Sequence, residues 1–216
     1  MTPDVTLAAL ARIKAVPVIR AGSIDHAMRA ALWLSQAGMS VIEMTLTTPD
    51  VFAGIAQLRK APDVCVGAGT ILSAQDARLA IAAGSQFLVT PCWIDGVIEL
   101  ARAANIAVLI GAANPSEIWR AHIAGATAVK VFPAATVGGP QFLKQVRAVF
   151  PTVPLMPTGG VTVETAADYL AAGAFCVGLG SELAPAKALE SGDRASVVDK
   201  ARRLLASLSP PSSVQA

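Results

Sequence analysis

A helix-closing Ala-Gly pair recurs along this chain, and its spacing restricts the possible folds more than any other feature. Ala37-Gly38, Ala83-Gly84, Ala124-Gly125 and Ala172-Gly173 each follow helix-like sequence and precede a short apolar run, with the glycines 46, 41 and 48 residues apart. Glycine just past a helix end is the usual left-handed stop, so each pair marks a helix closing directly onto a strand. Those strands are expected at 41–46, 87–90, 128–132 and 175–179. Midway between them lie further apolar runs at 16–20, 64–67, 106–110 and 153–156. The segments 25–37, 49–60, 74–83, 94–104, 115–124, 140–149, 162–172 and 183–206 have helical lengths, and several open with Ser, Thr, Asp or Pro. Strand alternating with helix eight times predicts a parallel sheet covered by helices, and eight strands is the number that closes a barrel. The expectation is a single (β/α)8 TIM barrel over residues 1–208 with a flexible tail at 209–216, where Ser-Pro-Pro-Ser-Ser disfavours order. An open doubly wound sheet has the same periodicity and is the alternative architecture.

A hydrophobic content of 54% and a mean hydropathy of +0.57 raise the question of a membrane span. The longest stretches free of charge, 79–94 and 148–163, contain glycine or proline and fall short of the roughly 18 apolar residues a spanning helix needs. The apolar excess is therefore assigned to a buried core, with no membrane partner. A net charge of +2 without a basic stripe argues against a nucleic-acid partner. Cys65, Cys92 and Cys176 share no metal-ligand spacing and are read as reduced core residues. With no secretory signature at the N-terminus, a cytoplasmic location is expected. His26 and His122 fall in helices as surface residues, Trp33, Trp93 and Trp119 are assigned to packing of the helix ring, and neither a metal nor a cofactor is expected.

Barrel enzymes carry their reacting groups at the C-terminal ends of strands, so charged residues that interrupt the apolar strands are the candidates: Arg20, Glu43 and Lys130. Lys130 stands in Thr127-Ala-Val-Lys-Val-Phe-Pro133, a run that otherwise reads as fully buried. Burial disfavours an ammonium relative to a free amine, the form that attacks a ketone. A lysine snorkelling from a strand end is the plainer alternative. In Val41-Ile-Glu-Met-Thr-Leu46, alternation puts Glu43 on one face with Val41 and Thr45, expected to be the lumen, where a carboxylate near the lysine can move protons. A purely structural ion pair with Lys130 remains open. Arg20 can grip a carboxylate bidentately or simply be solvated.

Two glycine-bearing loops follow the last two strands, Pro157-Thr-Gly-Gly-Val161 and Gly178-Leu-Gly-Ser181, each expected to lead into a helix. Main-chain N–H groups and a helix N-terminus there would cradle a phosphate, although glycines also serve simply to make tight turns. Gly67-Ala-Gly-Thr70 does not complete a dinucleotide fingerprint but offers the Thr70 hydroxyl at the site.

Taken in order, Val16-Pro-Val-Ile-Arg20, Val41-Ile-Glu-Met-Thr-Leu-Thr-Thr-Pro49, Val66-Gly-Ala-Gly-Thr70, Val89-Thr-Pro91, Val129-Lys-Val-Phe-Pro133, Pro157-Thr-Gly-Gly-Val161 and Gly178-Leu-Gly-Ser181 closely resemble the 2-keto-3-deoxy-6-phosphogluconate/4-hydroxy-2-oxoglutarate aldolases, from about residue 13 to residue 190. The resemblance implies a class I aldolase of the Entner–Doudoroff type, a homotrimer, with a Schiff-base lysine at Lys130, a proton-shuttling glutamate at Glu43, and pyruvate and glyceraldehyde 3-phosphate as products. It also places Thr70 and Thr158 around the pyruvate moiety, Pro91 near the lysine, and the phosphate on Gly159, Gly160, Gly180 and Ser181.

The chain departs from the family pattern at Thr47, where many members carry a carboxylate-binding arginine, leaving Arg20 as the nearest replacement; other members also carry an arginine at the end of the first strand. It departs again at Ala135, in place of a glutamate, and at Gly111-Ala-Ala-Asn114. These changes leave the exact substrate open. Thr158 resembles members acting on the gluconate epimer. The galactonate epimer and 4-hydroxy-2-oxoglutarate are the alternative substrates, and a phosphate-binding isomerase or decarboxylase or a phosphosugar-binding barrel without aldolase activity are the alternative classes.

Overall fold

The computed structural model describes residues 1–208, so the expected tail at 209–216 lies outside the described residues. Eight strands, β1 (Ala15–Ile19), β2 (Val41–Thr45), β3 (Cys65–Gly69), β4 (Phe87–Val89), β5 (Ala107–Ala112), β6 (Ala128–Val131), β7 (Leu155–Pro157) and β8 (Val177–Leu179), run parallel in sequence order. β8 returns to pair with β1, and a single parallel bridge between Thr158 and Gly178 joins β7 to β8 across the remaining gap. The fold is the (β/α)8 TIM barrel the spacing predicts, and the open sheet is excluded.

Helices alternate with the strands: α2 (Ile24–Gln36), α3 (Val51–Leu58), α4 (Ala74–Ala82), α5 (Val97–Ala103), α6 (Pro115–Ile123), α7 (Gly139–Val149) and α8 (Ala166–Ala171). Their starts are chemically set. The side chains of Ser23, Ser73 and Asn114 accept hydrogen bonds from the main-chain N–H groups of His26, Asp76 and Glu117, satisfying donors that the first turn leaves free. Their ends are set by the repeated glycines: Gly38, Gly84, Gly125 and Gly173 all adopt left-handed φ values between 94° and 106°.

Strand alternation sorts the core into two clusters. Ile42, Met44, Leu88, Ile110 and Val129 face outward beneath the helices, whereas Val16, Val41, Phe87, Leu109 and Met156 fill the lumen. Three features depart from the sequence expectation. The segment 183–206 is two helices, α9 (Ala186–Ser191) and α10 (Arg194–Leu208), broken where Gly192 takes a φ of 74°. An additional helix, α1 (Pro3–Ile13), precedes the barrel; Thr2 caps it and Pro3 opens it. Its Leu10 is fully buried among lumen residues at the first positions of the strands, including Val41, Cys65, Ala107 and Ala128, so α1 closes the barrel at the strands' N-terminal ends. Cys92 is exposed rather than in the core, because it sits in the loop after β4; Cys65 and Cys176 are buried. Among the described residues, no helix is long and apolar enough to cross a membrane.

Candidate active site

The C-terminal end of the lumen opens into a cavity of about 920 Å3. β2 and β6 face each other across the ring, and their central charged residues meet at its axis. The Nζ of Lys130 lies 3.8 Å from Oε1 of Glu43, with Lys130 only 4% exposed and Glu43 at 0%. That separation is an ion-pair distance but longer than a hydrogen bond.

Glycine makes room for this pair. β3 presents Gly67 and Gly69 to the lumen, and a Cβ at Gly69 would overlap the Glu43 carboxyl, while one at Gly67 would overlap the Phe87 ring that fills the layer below. Gly111, in register with Lys130, would collide through a Cβ with the main chain of Pro91, and Gly178 with the Thr158 hydroxyl. Where the strands below carry bulky lumen residues, these positions carry only backbone, and the barrel interior changes from packed core to chamber.

The chamber contains buried polar atoms that lack hydrogen-bond partners among the described residues. Both Glu43 carboxyl oxygens and the Thr158 hydroxyl are buried with no hydrogen bond among the described residues. Such atoms are costly unless something else supplies the bond, which a bound substrate or water can do. Burial pushes the Glu43 carboxyl above the ordinary glutamate range, with the charges of Lys130 and Arg20 acting in the opposite direction. The Lys130 Nζ also stands 5.3 Å from the centre of the Phe132 ring.

Lys130 lines the cavity, and so do Arg20, Thr70, Pro91, Thr158, Gly159, Gly160, Gly180 and Ser181; Glu43 lies beneath its wall. Arg20 is exposed at the rim, one residue past β1. Thr70 takes a left-handed φ of 61°, a conformation β-branched residues rarely adopt and one that recurs at functional sites. Thr47, by contrast, is exposed outside the cavity lining, its hydroxyl 3.0 Å from that of Thr45.

The two glycine loops correct one expectation. α8 and α9 begin only at Ala166 and Ala186 and are six residues long, so the glycines do not sit at helix N-termini. The loops instead offer main-chain donors: the N–H groups of Gly159, Gly160 and Ser181 have no acceptor among the described residues. Other lining residues were not singled out from the sequence, among them Phe132, Thr162 and Glu182. Glu182 directly follows the second glycine loop, a position the search for charges inside strands passes over.

Comparison with protein-family models matches residues 7–200 to the family described as "Aldolase: KDPG and KHG aldolase". The chain belongs to that family. The family is one of aldolases, which are carbon–carbon lyases, and the enzyme is therefore a lyase of the aldolase kind; the alternatives of an isomerase, a decarboxylase and a non-catalytic module are set aside. Among its relatives, the 2-dehydro-3-deoxy-phosphogluconate aldolase of Pseudomonas aeruginosa is 36% identical over 202 residues, covering 93% of this chain and 90% of that one. The KHG/KDPG aldolase of Escherichia coli is 35% identical over 189 residues, covering 87% and 88%. Among solved structures, the KDPG aldolase from Legionella pneumophila, with pyruvate captured as a covalent carbinolamine intermediate, superposes with a TM-score of 0.85 at 28% identity, covering 94% of this chain and 98% of that one.

Proposed function

We propose that the enzyme cleaves 2-keto-3-deoxy-6-phosphogluconate to pyruvate and D-glyceraldehyde 3-phosphate through a Schiff base on Lys130. The observation that carries this reading is an amine almost wholly removed from water, at the floor of an open cavity and 3.8 Å from an equally buried carboxyl.

In this reading Lys130, as the free amine, attacks the C2 ketone to give a carbinolamine. The C2 hydroxyl then leaves as water, taking a proton from Glu43, whose burial favours the protonated form. The distance between the two side chains suits transfer through one water rather than directly. As a carboxylate, Glu43 next accepts the proton of the C4 hydroxyl. The C3–C4 bond breaks, its electron pair flows into the iminium, and glyceraldehyde 3-phosphate departs from an enamine. C3 takes back a proton, and water releases pyruvate and the amine.

Arg20 at the rim supplies the guanidinium for the keto acid's carboxylate, since Thr47 carries no charge. Thr70, Thr158 and Pro91 surround the pyruvate half, and the unpaired Thr158 hydroxyl is suited to donate to it. The free N–H groups of Gly159, Gly160 and Ser181 support a phosphate at the far end, together with Gly180. Those donors favour the phosphorylated substrate over 4-hydroxy-2-oxoglutarate, whose name the Escherichia coli relative carries in abbreviated form. The galactonate epimer fits the same chemistry, and comparing cleavage rates of the three compounds ranks them. A homotrimer, a role in the Entner–Doudoroff route and a cytoplasmic site complete the proposal; exposed Trp119, Ile123 and Val149 are apolar surface that subunit contact would cover.

The deciding experiment is borohydride reduction in the presence of pyruvate, followed by peptide mass analysis. A reduced pyruvyl adduct on Lys130 is expected. No adduct, or one on Lys144, would overturn the assignment.

A further inference from the structure

The far end of the cavity contains a charge that an anion-binding site would be expected to avoid. Glu182 lines it, immediately after Ser181. An uncompensated carboxylate beside a phosphate is repulsive, and more so in a partly dehydrated cleft than in open water. The chain carries a compensating group on α10. Lys200 donates from Nζ to the Glu182 main-chain carbonyl at 3.0 Å and lies 3.5 Å from the Glu182 Oε1. One ammonium therefore holds both the backbone and the side chain of this residue, and the two side chains are mostly covered, at 26% and 33% exposure.

The charge of the same lysine also reaches Glu164, in the segment after the other glycine loop. Glu164, just past the lining residue Thr162, has its carboxyl held below the ordinary glutamate range, first by its own main-chain hydrogen bond and the Thr162 hydroxyl, and further by the charges of Arg203 and Lys200. Arg203 is itself paired with Asp199, one turn earlier on the helix. Among the described residues of α10, Lys200 is the cation that bonds directly to a cavity-lining residue.

Resting on the reading above, we infer that Lys200 is a positioning residue for the distal anion site: it pins the β8–α9 loop through the Glu182 carbonyl and neutralises the Glu182 carboxylate, so that the cavity accepts a phosphorylated rather than an uncharged substrate end. Lys200 touches no reacting atom. Its effect is on which substrates are held, and Glu182 is the charge through which that effect is transmitted.

The test compares Lys200→Met, which keeps the aliphatic stem, Glu182→Gln, and the double variant in the full chain. Inorganic phosphate is titrated calorimetrically into each, and KM is measured for the phosphorylated substrate and for 4-hydroxy-2-oxoglutarate. Lys200→Met is expected to weaken phosphate binding and raise KM for the phosphorylated substrate on the order of tenfold, with little change for the unphosphorylated one. The double variant is expected to recover most of that loss, because the unpaired carboxylate is then gone. A Lys200→Met loss shared equally by both substrates, or no recovery in the double variant, would mean a structural role only and would overturn the inference. Phosphate binding does not depend on turnover, and the pyruvate adduct on Lys130 in Lys200→Met reports separately on the aldolase reading.

Discussion

Glu43 and Gly69 stand on adjacent strands, and the carboxyl of the first occupies the space that any side chain on the second would fill. The catalytic proposal therefore depends on the absence of a methyl group. Gly69→Ala is expected to displace Glu43 from Lys130 and to lower kcat by about 100-fold or more, the cost typical of a misplacement near 1 Å. Steady-state kinetics on the folded variant checks this. An unchanged kcat would show that the carboxyl can sit elsewhere and still serve.

Glu43→Gln removes the proton shuttle and keeps the shape. A fall in kcat of about 10²- to 10⁴-fold is expected, the range for general acid–base groups. The same variant tests the raised pKa. The folded chain holds the Glu43 proton to a higher pH than the unfolded chain, so the stabilisation is complete below the ordinary value of 4.5 and is lost as pH rises through the folded value. Wild-type Tm should thus decline relative to that of Glu43→Gln as pH increases from 4.5. Parallel profiles would argue that burial does not hold the proton on.

Arg20→Ala should raise KM for the keto acid with a smaller effect on kcat, because a carboxylate grip contributes to substrate and transition state alike. Kinetics with pyruvate as a competing ligand gives the same answer independently. If KM stays put, main-chain donors hold the carboxylate.

The thiols should differ sharply. Burial pushes Cys65 up to about 11 and Cys176 higher still, whereas Cys92 is exposed. A thiol titration of the native protein at pH 8 is expected to modify Cys92 alone until denaturant is added, since thiolate fraction and access both govern the reaction. Rapid labelling of Cys65 would indicate that the lumen floor opens readily.

The barrel was legible because its punctuation is local. The left-handed glycines and the Ser23, Ser73 and Asn114 caps act within a turn of their own position, so spacing alone gave the order of elements. Lys130 and Glu43 stood out because charge inside an apolar strand is conspicuous. What the sequence hid was non-local. Nothing in Leu10 announces that it will pack against the starts of distant strands, although Thr2-Pro3 is a helix-opening signal. Glu182 and Lys200 look like ordinary loop and helix charges until the fold sets Glu182 in the cavity wall and bonds Lys200 to it. The short helices after the glycine loops were misjudged because periodicity gives a segment's length but not where in it the helix starts.

Because α1 stops the barrel at its lower end, the lumen formed by the described residues opens at the C-terminal ends of the strands. Whatever binds against Lys130 goes in first and comes out last. In the proposed reaction the aldehyde fragment, nearer the threshold, must vacate before the three-carbon acid on the lysine can follow. Traffic through the site is thereby ordered by architecture alone, with no moving part required.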